Sequence, residues 1–293
     1  MSGSIDWLAV GDIAEDRTPG NQSAIGGGAG RLVLYAAGLG ASAALVGKIG
    51  DDAAGRHLRD ALNRLHVDLQ WLRTAPGLQT TSWFGRDADP QHRRVERGAD
   101  LGLRLDELPP HSVSAALTVV SGYSLSVEPA RSAVMGALAQ APGRGGRAAL
   151  LLEAELLWWM NARITRRVLE PALALAHSVA LTSADAAVLF GAMPARDLVR
   201  AIGQMGPRIV YLMEADGSVM VREGGRVHRV TGTHPDGASE HATAAAASFW
   251  VALARGQPVV KAAETSVRYR EGRRLPAVSR RGRRSHRRER SAL

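Results

Sequence analysis

Apolar residues recur along this chain in two alternating rhythms. In IDWLAVGD, residues 5–12, nearly every position is apolar, which predicts a first strand buried on both faces and ending in a turn. RLVLYAAGLG changes rhythm: its apolar positions fall three to four apart and Gly40 stands just past the end, as in a helix. ASAALVGKIG then reads as a strand, and AAGRHLRDALNRLH as an amphipathic helix with Leu58, Leu62 and Leu65 on one face. GLQTTSWFGRDADPQHRRVERGAD breaks the alternation. Its β-type residues, its many charges and a turn at Asp87–Pro90 predict a solvent-facing hairpin.

Alternation then resumes. ALTVVSGYSL, GRAALLLEA, SVALTSA and RIVYLME read as strands. PARSAVMGALAQAP and NARITRRVLEPALALA read as helices between them, and DAAVLFG as the start of another. SVMVREGGRVHRV adds strands after a turn at Ala215–Gly217. Apolar strands alternating with helices predict an α/β domain whose mostly parallel sheet is covered on both faces. Leu32, Leu34, Leu62 and Val119 are expected in its core.

Composition supports that picture and narrows it. The 293 residues are 45% hydrophobic, enough for a sizeable core, and no cysteine is present for disulfides, thiolate zinc sites or nucleophiles. MSGSIDWLAVGD lacks the pattern of a secretory signal, and the most apolar later run is broken by Glu153 and Glu155, so the expectation is a cytoplasmic protein without a membrane span. The net charge of +9 belongs to one end. Residues 266–293 hold eleven arginines against two glutamates, leaving 26 basic and 26 acidic side chains for everything before them. Residues 1–265 are therefore read as the folded domain and 266–293 as an Arg-rich, disordered tail. Nucleic acid is an unlikely partner except for weak contact through the tail.

Several familiar chemistries drop out. GGGAG, Gly26–Gly30, lacks the third spaced glycine of a dinucleotide loop because position 31 is Arg31. There is no G-x-x-x-x-G-K-[ST] and no G-x-S-x-G, and the nine histidines form no H-E-x-x-H. One segment does point to chemistry. HPDGASEHATAAAA, His234–Ala247, is a turn of small residues opening an alanine-rich helix, with Glu240 at the junction. The free N–H groups and dipole of such a helix start favour an anion.

Several fragments together resemble the ribokinase-like (PfkB) carbohydrate kinases. They are GGGAGRLVLYAAGLGASAALVGKIGDDAAGRHLRDALNRLHVD, then RGADLGL, VVSGYSL, EADGSVMV and GASE, in the family's order over roughly residues 5–265. The resemblance implies a three-layer α/β sandwich with a small β lid near residues 13–30 and 76–100, and a homodimer through that lid is compatible with it. It implies transfer of the γ-phosphoryl group of ATP, with Mg2+, to a hydroxyl of a sugar or nucleoside. Glu240 would be the catalytic base and Gly237, Ala238 and Ser239 the anion hole. Asp16, placed at the end of the first strand, would bind substrate hydroxyls beside Gly27, Gly28 and Arg31. Asp51 and Asp52 read as helix-capping residues.

The family pattern is altered at several positions. Its substrate asparagine falls on Arg31, and its D-x-N-x-R reads Glu153-Ala154-Glu155-Leu156-Leu157. The magnesium motif N-x-x-E reads Thr182-Ser183-Ala184-Asp185, leaving Asp185 an indirect metal role. T-x-G reads Leu212-Met213-Glu214, which brings a carboxylate toward the nucleotide phosphates, and the closing helix after Thr265 is not recognisable. A gapless match of the last helix would place Thr243 at the base position; the register that keeps Gly-Ala-x-acid selects Glu240. Two readings follow: an active kinase with a degenerate site, or a pseudokinase retained for binding a ligand or partner.

Overall fold

The computed structural model describes residues 5–18, 22–84, 94–155, 160–232 and 239–269, with the side chains of residues 18, 22, 162 and 239–241 outside the description. The chain starts with β1 (Ile5–Val10), then leaves the main sheet for β2 (Ala14–Thr18) and β3 (Gln22–Gly26). It returns through α1 (Gly28–Gly38) to β4 (Ala43–Gly50), α2 (Ala53–Asn63) and β5 (Leu72–Ala75). Two short strands follow, β6 (Ser82–Phe84) and β7 (Arg94–Glu96). Next come β8 (Ala115–Ser121), α3 (Ala130–Gln140), β9 (Arg147–Leu151), α4 (Ala162–Leu175) and β10 (Ser178–Thr182). The remainder is α5 (Ser183–Phe190), α6 (Ala195–Gln204), β11 (Ile209–Met213), β12 (Val219–Glu223), β13 (Arg226–Val230), α7 (Ser239–Ala254) and α8 (Val259–Tyr269).

Nine strands form one sheet in the order β13-β12-β11-β10-β9-β8-β1-β4-β5. Every pairing from β11 across to β5 is parallel, and the two edge pairings, β11 with β12 and β12 with β13, are antiparallel. The first strand shows why the apolar runs are continuous: Trp7 and Ala9 enter one core with Leu32, Phe249 and Trp250, whereas Leu8 and Val10 enter the other with Val134, Leu138 and Leu173. Helices cover both faces, which makes the three layers of an α/β sandwich. Leu32, Leu62 and Val119 are fully buried, and Leu34 packs partly buried against the first core.

A second sheet, β3-β2-β6-β7, stands over one end of the first. Ala14–Thr18, Gln22–Gly26, Ser82–Phe84 and Arg94–Glu96 supply it, and the turn expected at Asp87–Pro90 lies outside the described residues. Its inner face is not solvated: Trp83 is buried against Ala14 and meets Tyr123 edge-on at 5.4 Å, so the segment expected to face solvent is amphipathic. Among the described residues no helix is long and apolar enough to cross a membrane.

The C-terminal end also departs from expectation. α8 runs through Thr265 to Tyr269, with Ser266 and Val267 buried and the Ser266 hydroxyl 2.9 Å from the Tyr211 phenol. The periodicity is hidden because α8 mixes Lys261, Glu264 and Arg268 on one side with Val259, Ala262, Ala263, Ser266 and Val267 on the other.

Candidate active site

In open parallel sheets, ligands bind beyond the C-terminal strand ends where neighbouring strands are connected in opposite directions. That point falls here between β1 and β8, since the chain leaves β1 for β4 on one side and reaches β8 later on the other. Gly11 turns the backbone at φ 136, and Asp12 leaves the sheet, only 2% exposed. Gly28 N donates to Asp12 Oδ2 at 2.7 Å, and Asp12 N donates to Ser124 Oγ at 2.9 Å. Asp12 thus ties the N-terminus of α1, through its carboxylate, to the turn after β8, through its backbone N–H.

Gly27 and Gly28 are required by this closeness. Gly27 has φ 77, and a Cβ there would sit 2.7 Å from the Asp12 carbonyl. A Cβ on Gly28 would overlap the Ser121 hydroxyl and lie 3.0 Å from Glu153 Oε2. One turn into α1, Arg31 reaches across the strand ends and donates from Nη2 to Glu153 Oε1 at 2.5 Å, the two side chains being 3% and 10% exposed. Burial works against the guanidinium charge, but the fields of Glu153, Glu155, Tyr35 and Asp16 outweigh it and hold Arg31 above its ordinary value. Arg31 Nε and Nη1 and the Ser121 hydroxyl have no partner among the described residues. Buried donors of this kind are rare and call for a ligand or water.

Asp16 is not at the end of the first strand. β1 stops at Val10, and Asp16 lies in β2 of the second sheet, opposite Ala24 of β3 and Trp83 of β6. It is half-buried, and its field acts on Arg31. Ile13 and Ala14 resume the apolar pattern directly after Gly11 and Asp12, which conceals the break between the two sheets.

Thr182 and Asp185 form a capping box on α5: Thr182 Oγ1 donates to Asp185 Oδ2 at 2.7 Å, and Asp185 N donates to Thr182 Oγ1 at 3.0 Å. Ala154 N donates to Asp185 Oδ1 at 3.1 Å. Burial chiefly raises this carboxyl, helped by Glu155 and opposed by the Thr182 bond. With Glu153, Glu155 and Thr243, Thr182 and Asp185 line a cavity of ≈ 20 Å³, room for about one water. The donors are hard oxygens of the kind magnesium takes. Among the described residues no three His, Asp or Glu side chains converge to hold a metal ion by themselves. Glu214 is turned away from a phosphate role, accepting from Ser218 Oγ at 2.9 Å and from Arg229 Nε at 3.0 Å.

Gly237 and Ala238 lie outside the described residues. The described part of α7 starts at Ser239, so Ser239 and Glu240 are placed as helical backbone, and their side chains are outside the description. Thr243 is 1% exposed within the same helix.

Sequence reading missed a further polar group under the second sheet. Asp100 is fully buried, accepts from Thr81 Oγ1, and is pushed up to about 7, above all by burial and also by Asp12. Thr81 Oγ1 in turn accepts from Gly98 N at 2.7 Å. The segment RGADLGL contains this acid, but only its contact with Thr81, 19 residues earlier, exposes its chemistry.

The fold is that of ribokinase-like sugar and nucleoside kinases. It matches a fructokinase from Vibrio cholerae O395 in fructose-, ADP- and calcium-bound form with TM-score 0.79 and 20% identity, over 92% of this chain and 91% of that one. Aminoimidazole riboside kinase from Salmonella enterica, complexed with aminoimidazole riboside and an ATP analog, matches with TM-score 0.78 and 19% identity over 89% and 90%. In sequence, a fructokinase of Klebsiella pneumoniae is 30% identical over 217 residues, 71% of this chain and 68% of that protein. The model of the pfkB family carbohydrate kinases matches residues 14–268. The chain belongs to the pfkB family of carbohydrate kinases.

Proposed function

We propose that this protein is an active ATP-dependent kinase that phosphorylates a hydroxyl of a small, uncharged sugar or nucleoside. The observation that carries the proposal is the buried Arg31–Glu153 pair, whose remaining N–H groups have no partner beside Gly28 and Ser121. A hydroxylated acceptor would satisfy those donors, with Asp16 accepting from its hydroxyls and Gly27 and Gly28 allowing it close to the backbone. Asp12, Asp16, Glu153, Glu155 and Asp185 outnumber Arg31, which disfavours an anionic acceptor.

Glu240 would accept the acceptor's proton, and the N–H groups of Gly237, Ala238 and Ser239 would meet the charge that develops on the transferred group. Asp185 and Glu155 would hold Mg2+ through water, the nucleotide phosphates supplying the rest of its shell. When bound, the ion neutralises phosphate charge.

The test is Mg-ATP binding by calorimetry together with ADP release across a panel of free hexoses, pentoses and nucleosides. Glu240→Gln should keep nucleotide binding and lower turnover by about 10²-fold or more. Absence of both Mg-ATP binding and ADP release in the parent would sink the proposal.

A further inference from the structure

A second cavity bordered by described residues lies at the opposite end of the sheet from the candidate active site. It measures ≈ 500 Å³ and opens where β8, β9, β10 and β11 begin, under the turn joining α7 to α8. That volume falls within the range of small-molecule sites. Its inner wall is apolar, with Leu117, Ile209, Val259 and the indole of Trp250, whose Nε1 is already satisfied by Ser178 Oγ at 2.9 Å. The rim is cationic: Arg147 at the start of β9 and Arg208 just before β11 are both exposed, with His177 between them and Glu223 the one acid of the lining. Arg208 Nη2 is 3.9 Å from Glu223 Oε1, a loose surface pair, and Arg147 has no acidic partner among the described residues. Burial and the fields of Arg147 and Arg208 both lower His177, with Glu223 opposing, which reports a positive potential at the mouth.

From this geometry we infer that the cavity is a second binding site, for a small molecule that combines an apolar ring system with one anionic head. The ring fills the space beside Trp250, and the head is held at the rim by Arg147 and Arg208. The chain's own segment 270–293, with ten arginines and two glutamates, has the wrong charge to occupy it. The site is separate from the acceptor and nucleotide sites and does not depend on kinase activity.

The probe is 8-anilinonaphthalene-1-sulfonate, titrated into the full-length protein while its emission and energy transfer from tryptophan are followed. One site with a dissociation constant on the order of 10 µM is expected. Arg147→Glu combined with Arg208→Glu should weaken it at least about tenfold, since both side chains are exposed and the fold does not depend on them. Ala254→Phe, which fills part of the cavity from the end of α7, should do the same with both arginines intact. Two outcomes overturn the inference: unchanged affinity in both variants, which would move the probe elsewhere on the chain, or no binding to the parent. N-phenyl-1-naphthylamine, which lacks the sulfonate, should bind at least about tenfold more weakly. Equal affinity would reduce the site to an apolar hole and overturn the role of the arginines.

Discussion

A buried ion pair and a buried acid set what single substitutions do here. Arg31 and Glu153 are both nearly out of water, so removing one leaves the other charge uncompensated. Arg31→Ala should cost about 3–5 kcal/mol, whereas replacing both partners, Arg31→Met with Glu153→Leu, should recover most of that loss while removing acceptor binding. Urea denaturation of the two singles and the double gives the coupling; additive losses would show that the pair does not act as a unit. Asp100 works in the opposite sense. Burial raises its carboxyl from 3.8 to about 7, so between those values the folded chain keeps a proton that the unfolded chain has released. Stability from this group is full below about pH 4, falls as pH rises to about 7, and levels off above. Asp100→Asn retains an acceptor for Thr81 and never ionises. It should match the parent near pH 4 and exceed it at pH 8, by ~4 kcal/mol at most. Denaturation midpoints at the two pH values decide this, and equal differences at both would refute it.

At the scale of elements, the first turn of α2 joins the main sheet to the smaller one. Asp52 caps the helix by accepting from Gly55 N at 2.8 Å, and it also accepts from Thr80 N at 2.9 Å and Thr80 Oγ1 at 2.7 Å. Burial is the largest single influence and raises this carboxyl, but the bonds from Gly55 and Thr80 together outweigh it and hold Asp52 below 3.8. Asp52→Ala loses the cap and strands the Thr80 N–H, a cost of about 2–3 kcal/mol, while Asp52→Asn should keep most of it. A urea series that finds Asn as costly as Ala would refute capping as the main role. This cap was legible in GDDAAG because capping is a local act, like the apolar periods that mark β1, α1, β4 and α2. Pairings across the fold were not. Arg31 meets Glu153 from 122 residues away, and nothing near either residue announces the other. Asp16 was set on the wrong strand because VGDIA marks the change of sheets with Gly11 and Asp12 alone and turns apolar again at once with Ile13 and Ala14. DAAVLFG holds most of α5 and its end, since α5 starts at Ser183, and Gly191 at φ 89 and Pro194 separate α5 from α6, a division too short to show in the period.

For the whole molecule, the question is where the folded body ends and the cationic segment begins. A boundary at Thr265, drawn from charge alone, would cut α8 before its last buried turn. Val267 is 6% exposed, and Ser266 is fully buried with its hydroxyl on the Tyr211 phenol. Losing Val267 removes about 1.5–3 kcal/mol of apolar burial, and leaving the Tyr211 hydroxyl without Ser266 adds about 1–3 kcal/mol. A chain ending at Thr265 should therefore be less stable than the full chain by several kcal/mol, close to the whole margin of an ordinary domain. A chain ending at Tyr269 keeps both contacts and should unfold at the same urea concentration as the full chain. The two truncations also separate stability from charge. Both lack residues 270–293, with their ten arginines and two glutamates, so both should lose retention on a polyanion matrix that holds the full chain at low salt. Retention of the chain ending at Tyr269 would place the anion-binding surface on the body, where the rim formed by Arg147 and Arg208 is the first region to mutate. Equal stability of the two truncations would mean that the end of α8 adds nothing to the core.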